Sequence, residues 1–302
     1  MIETLTTMLG STVRLSVPLA LAGSGEYVAE RSGTLNISIE AMMLNGAFFG
    51  ILGSSVTGSP AMGLLFAVAA GLAVAVVHAN FSHRLTANTF VVGLTLNVLI
   101  LGLTSFLSET LSLNPKRAGT ITIPVLSDIP VIGEPLFAQR WPAYVLVPVV
   151  FLSWWLINRT RWGLEVRACG ENPQAADVTG IDVNKRRRQT IYLCGMLSGF
   201  SGAYLSVAEV GLFNQNMTAG RGFLVNAAVI FGGWTLVGTL GGCFLFGGAA
   251  ALRLALPAIG YEITPQLLIA APFILALLVM LFFANRSRQP AALAQPFERG
   301  IT

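Results

Sequence analysis

Long apolar runs, separated by short polar stretches, occupy most of this chain. From Ile39 to Ser108 the only charged residues are Glu40 and Arg84, and from Thr190 to Ala284 they are Glu209, Arg221, Arg253 and Glu262. A helix that crosses hydrocarbon needs about 20 mainly apolar residues. Runs of that kind predict spans near Leu5–Gly23, Ile39–Leu52, Ala61–Phe81, Phe90–Leu107, Pro142–Ile157, Thr190–Val210, Gly241–Pro257 and Gln266–Phe283. Phe223–Phe231, closed by Gly232 and Gly233, is too short to cross alone and predicts a half-helix or the start of a tilted span. The strict polar–apolar alternation of a membrane β-barrel is missing. The expected fold is therefore all-α: one polytopic membrane domain over residues 1–302, with about eight or nine transmembrane helices and at least one broken or half-helix.

The polar stretches predict the topology. Ser24–Ser38 reads as a Gly-containing connector carrying Glu26, Glu30, Arg31 and Asn36. Glu109–Arg140 holds Pro115, Pro124, Pro130 and Pro135 with two Ile-rich, strand-like pieces, too polar to span and too long for a tight turn. Asn158–Gln189 carries Arg159, Arg161, Arg167, Lys185, Arg186, Arg187 and Arg188 against Glu165, Glu171, Asp177 and Asp182. By the positive-inside rule, the 158–189 loop and the 285–302 tail, with Arg286, Arg288 and Arg299, are expected in the cytoplasm. The 109–140 loop is then expected outside and, with nine crossings, the N-terminus as well. Arg14 followed by Leu15–Ala22 faintly resembles a signal peptide, but Glu3 precedes it without further positive charge, so it is expected to be a retained first span.

Within the basic loop a short helix is written with both of its ends. Asn172 suits the N-cap, because its side-chain oxygen accepts from free N–H groups of the first turn. Pro173 suits the first helical position. Gln174–Thr179 follow, Gly180 suits the left-handed position after the helix, and Ile181 supplies the apolar contact that often closes such an end. Asp182 is expected to cap a second helix entering the next span. So short a helix is marginal alone in water, so it either packs on its own chain or is presented to a partner; presentation is the expected role, with small Ala175 and Ala176 entering a partner's groove.

Composition narrows the functional classes. The chain of 302 residues is 54% hydrophobic and 11% charged, with a mean hydropathy of +0.71. Its net charge of +4 does not indicate nucleic-acid binding, because the basic residues fill one loop and the tail with no interleaved aromatic platform. Cys169, Cys194 and Cys243 lack Cys-x-x-Cys spacing, and His78 and His83 lie near no carboxylate, so no metal is assigned. Lys116 and Lys185 are outside Gly-rich settings, so the chain has no phosphate loop. It also lacks the metalloprotease and serine-hydrolase signatures. No catalytic residue is assigned.

Polar groups inside spans are costly and become functional candidates. Asn36 and Glu40 stand four apart, Asn97 is alone in the fourth span, and Asn226 is in the half-helix. A neutral, hydroxyl-rich solute would use such amides, yet the same side chains also satisfy backbone freed at helix breaks. The Arg31-to-Asn36 and Arg221-to-Asn226 spacings match, each just before an apolar segment, as inverted repeats with broken helices would produce. Gly195-x-x-x-Gly199 predicts close helix approach.

Arg161–Glu171 (RWGLEVRACGE), the capped helix, and Asn216–Phe231 (NMTAGRGFLVNAAVIF) together resemble ABC-transporter permeases of the simple-sugar and nucleoside branch, within the superfamily of branched-chain amino-acid permeases. Glu30–Met43 (ERSGTLNISIEAMM) and Ala87–Phe106 extend the likeness, which runs from about Leu5 to Phe283. The resemblance implies an importer subunit in the plasma (bacterial inner) membrane. It would use ATP on a separate ATPase subunit, a sister permease and an extracytoplasmic substrate-binding protein, and would carry a nucleoside or simple sugar. It makes the short helix a coupling helix, with Asn172, Pro173, Ala175, Ala176, Asp177 and Gly180 at the ATPase contact. It also implies that the first helix of longer members is missing. The alternative is a secondary transporter or channel, for which Glu40 and Glu209 are the carboxylates near spans.

Overall fold

The computed structural model describes residues 2–124, 126–127, 129–258, 264–283 and 289–298; Glu262, Arg286, Arg288 and Arg299 lie outside them. The described chain is mainly helical. Helix α1 (Ile2–Arg31) leads into α2 (Ile39–Thr57), α3 (Pro60–His83) and α4 (Thr89–Thr110). An antiparallel pair, β1 (Thr120–Thr122) and β2 (Ala138–Arg140), encloses the five-residue α5 (Gly133–Phe137). A 3-10 turn, Trp141–Val145, runs into α6 (Leu146–Arg159), followed by α7 (Arg161–Glu171) and α8 (Pro173–Val178). Helix α9 (Val183–Ala203) widens into a π-helical stretch, Tyr204–Val210, and α10 (Arg221–Phe231), α11 (Leu236–Ala258) and α12 (Pro265–Phe283) complete the order.

Six helical segments among the described residues are long and apolar enough to cross a membrane: Ile39–Thr57, Pro60–His83, Thr89–Thr110, Trp141–Arg159, Val183–Val210 and Leu236–Arg253. Helix α10, with 11 residues, extends about 16 Å at 1.5 Å per residue, roughly half the hydrocarbon thickness.

Two sequence expectations need correction. The connector at 24–38 is shorter than expected, because α1 continues to Arg31 and only 32–38 breaks the helix. Glu26, Glu30 and Arg31 lie in the helix and do not mark a loop. Glu26 and Glu30 are buried and bonded inside the bundle, Glu26 to Asn36 N and Glu30 to Trp234 Nε1. Of the two strand-like pieces, Thr120–Thr122 is a strand, but the second strand is Ala138–Arg140 rather than an Ile-rich segment.

The packing repeats itself. Helix α1 packs on α11 as α9 packs on α3; α1 meets α10 as α9 meets α2; and α1 and α9 cross at the centre. Small residues permit the central approach. A Cβ on Gly199 would lie 2.2 Å from Ala67 O, and one on Gly195 2.3 Å from Ala75 Cβ. The Gly195-x-x-x-Gly199 face therefore packs on α3 at backbone distance.

Candidate functional site

Two helices begin inside the bundle, and their starts meet. The first is α2, preceded by the break at 32–38. Asn36 folds the break into an Asx turn: its Oδ1 accepts from Ser38 N at 3.2 Å and from Ser38 Oγ at 2.8 Å. Its own N–H reaches Glu26 Oε1 at 3.0 Å, and its Nδ2 points at Met42 and Cys194 sulfur, each at 3.4 Å. Ser38 Oγ also meets His78 Nδ1 at 2.8 Å, and Thr34 Oγ1 meets His83 Nε2 at 3.0 Å. The two histidines thus hold the break, and among the described residues no cluster suited to a metal occurs. Asn97 spans the same break from α4, accepting from Ala41 N at 2.9 Å and donating to Ile37 O at 3.0 Å. One free N–H of a helix start is satisfied this way.

The second start is α10. Glu40, in the first turn of α2, accepts from Gly220 N at 2.8 Å and Gly222 N at 2.6 Å. A carboxylate there complements both the free N–H groups and the positive end of the helix dipole. Gly222 permits the approach, since a Cβ on it would lie 2.5 Å from Glu40 N. Asn226, one turn further, donates to Asn36 O at 3.4 Å. The matched Asn36 and Asn226 positions therefore lie in contact where the two breaks meet. Of the four polar candidates, Asn36, Glu40 and Asn97 have their side-chain oxygens bonded within the chain. Asn226 Oδ1 is buried and has no hydrogen-bond partner among the described residues.

A second surface forms at the end of the bundle carrying α7 and α8. Asn172 Oδ1 accepts from Ala175 N at 3.0 Å. The far end closes as a Schellman motif, with Ile181 N on Ala176 O at 3.1 Å, Gly180 N on Asp177 O at 2.9 Å, and Gly180 at φ +89°. This is the local geometry that Asn-Pro and Gly-Ile favour. Asp182 Oδ1 caps α9 through Lys185 N at 2.9 Å, and Arg186 pairs with Glu165 at 2.5 Å.

One expectation fails here. Ala176, expected to enter a partner's groove, is buried against Cys169, Val183 and Phe297 of its own chain, and Pro173 is buried too. The helix turns one face inward because its own C-terminal segment covers it. The outward face carries Gln174, Ala175, Thr179 and Gly180, and Val178, 89% exposed. Val178 carried no sequence signal beyond being an apolar residue in a charged loop. In the cluster under α8, burial pushes the Cys169 thiol up to about 11.

Residues 8–283 match the family described as branched-chain amino acid transport system / permease component. The chain belongs to this permease family. The guanosine ABC transporter permease protein NupQ of Bacillus subtilis is 31% identical to it, over 99% of this chain and 98% of that protein. The nucleoside ABC transporter permease protein NupC of Lactococcus lactis is 33% identical, over 96% of each. A glucose ABC transporter permease protein of Haloferax volcanii is 31% identical over 89% of this chain and 77% of that protein. The relatives are transport subunits rather than enzymes, and with the apolar helices the permease is a multi-pass membrane protein.

Proposed function

We propose that this permease imports a nucleoside, with α8 as the coupling helix that docks on a separate ATPase subunit. The observation that carries this reading is α8 itself: six residues, capped at both ends by their own chain, with an apolar side chain held out at its surface. A short helix fixed so firmly, with Val178 exposed in a basic loop, suits docking into an apolar groove. The names of the relatives support nucleosides ahead of simple sugars, while the glucose permease keeps sugars as the second reading.

In this account α1 and α12 join the six apolar segments in crossing the membrane, and the half-length α10 completes a further passage with the 211–220 loop before it, giving the expected eight or nine spans. The 158–189 loop and the tail face the cytoplasm, and 109–140 faces outward to an extracytoplasmic binding protein. A sister permease completes the path. Substrate passes the meeting point of the two breaks, where Asn226 Oδ1 offers an acceptor to a hydroxyl or ring N–H. ATP bound to the partner subunits closes them, the coupling helices follow, and the path tilts from one side to the other; binding free energy, not chemistry in this chain, shifts the equilibrium.

Uptake of labelled guanosine and labelled pentose by cells with and without this chain tests the substrate. Loss of guanosine uptake supports the reading; intact guanosine uptake with lost pentose uptake transfers it to sugars. Thiol labelling of Ser127→Cys and Gln174→Cys in sealed cells tests the orientation, with Ser127→Cys labelled from outside and Gln174→Cys protected.

A further inference from the structure

Arg187 is wholly buried, and its guanidinium is clasped by carbonyls from three separate pieces of chain. Its Nε donates to Ser32 O at 3.1 Å, at the break before α2. Its Nη1 donates to Gln295 O at 2.7 Å and its Nη2 to Ala292 O at 3.5 Å, both in the C-terminal segment. Nη2 also reaches Cys169 O at 3.4 Å, in α7. A buried cation whose partners among the described residues are all carbonyls is a costly arrangement.

The C-terminal segment 289–298 fills the space between the same pieces. Ala294 N bonds to Gly33 O at 3.0 Å and Ala292 N to Gly170 O at 2.9 Å. Phe297 is buried beneath α8 with Ala176. Ser32 Oγ is further tied to Thr190 Oγ1 of α9 at 2.9 Å. A cavity of about 200 Å³ lies against this strap, lined in part by Thr34, Ser82, His83, Gln295 and Pro296. Thus one strap and one guanidinium connect the underside of α8 with the first break, whose other end carries Asn36 and leads into α2 with Glu40.

We propose that Arg187 and the 289–298 strap form the transmission element of this permease. Movement of α8 is delivered through them to the 32–38 break, and from there through Glu40 to α10. Arg187 is a positioning residue in this scheme; it touches no substrate. The proposal rests on the reading of α8 as the docking helix.

The test uses the permease reconstituted with its ATPase subunits in proteoliposomes. Leu35→Cys, in the half-buried part of the break, reports through maleimide labelling with and without ATP and vanadate; the three native cysteines are all buried. Three backgrounds are compared: unmodified, Arg187→Gln, and Ala294→Pro, which removes the strap N–H bonded to Gly33 O and keeps Phe297 in the chain. Arg187→Lys serves as partial rescue. The expected result is unchanged ATPase co-purification and continuing ATP hydrolysis. The nucleotide-dependent change in Leu35→Cys labelling should fall about tenfold or more, as losing charge-assisted bonds implies, and Arg187→Lys should restore part of it. A merely structural role would lower ATPase binding and hydrolysis together. If Arg187→Gln does not insert, Ala294→Pro carries the same test. An intact nucleotide-dependent change in both variants would overturn the proposal. Failure of the unmodified permease to hold an ATPase would instead remove the docking reading beneath it.

Discussion

The two helices that start inside the bundle are secured in opposite ways. The start of α2 is held by many weak ties from different elements: Glu26 from α1, His78 and His83 from α3, Asn97 from α4, and Thr190 with Arg187 from α9. The start of α10 follows a loop with positive φ at Gly211, Asn216, Ala219 and Gly220, and one carboxylate, Glu40, takes two of its N–H groups. Both solve the same problem of unpaired N–H groups at a buried helix end. The first is locked to the bundle, while the second hangs chiefly from the first. Motion reaching the first break therefore moves both.

Removing the single tie should cost most. Glu40→Ala leaves Gly220 N and Gly222 N without their acceptor, and bonds to a charged group are worth about 1.5–3 kcal/mol each. The expected loss is about 3 kcal/mol or more, seen as a large drop in melting temperature in detergent. Gly222→Ala should approach the same effect, because its Cβ would displace Glu40. Glu40→Ala melting like the native permease would mean that other contacts hold the start of α10.

The distributed side should be more forgiving. Asn97→Leu unpairs Ala41 N and Ile37 O, at about 1–3 kcal/mol, and the remaining ties should keep the permease inserted. Ser38→Ala removes two hydroxyl contacts and should cost only about 1 kcal/mol. A Ser38→Ala loss as large as that of Glu40→Ala would mean that the first break also depends on one contact.

A chemical test probes the strap side of the first break. Burial disfavours the Cys169 thiolate, so its folded value lies near 11, above the ordinary thiol value of 9.0. The thiol form is therefore the one burial favours. Stability tied to this group is present below the ordinary value and declines as the pH rises through it toward 11. Alkylation of Cys169 in the folded permease should be negligible at pH 8 and rise only above about pH 10. Ready alkylation at pH 8, followed by mass spectrometry, would mean that the cluster under α8 opens.

Much of this was legible in the residues, for physical reasons that differ by region. The spans follow from unbroken apolar runs, which only hydrocarbon or a buried core accommodates, and α2, α3 and α4 begin and end within a few residues of where those runs do. The caps of α8 were legible because Asn172, Pro173, Gly180 and Asp182 act on backbone one to five residues away. The helix continues past residue 24 against expectation because local polarity does not reveal that Glu26 and Glu30 find partners on Trp234, Cys194 and the break itself. The burial of Ala176 is hidden for the same reason, since the segment that covers it arrives more than a hundred residues later. Arg187 looked like one more basic residue in a run of four; nothing in the run distinguishes the one that turns inward.

Ala176→Arg is consequently a poor probe of docking, as it would disrupt the cluster with Phe297 before any partner is reached. Val178→Asp touches only the exposed face. The direct measurement is co-purification of the ATPase subunit with Val178→Asp permease at native membrane level, alongside guanosine uptake. The expected result is an inserted permease with unchanged melting temperature, at least about tenfold less ATPase retained, as expected for a central apolar contact, and uptake lost in proportion. Full ATPase retention with full uptake would contradict it, leaving α8 a capped turn that presents nothing to a partner.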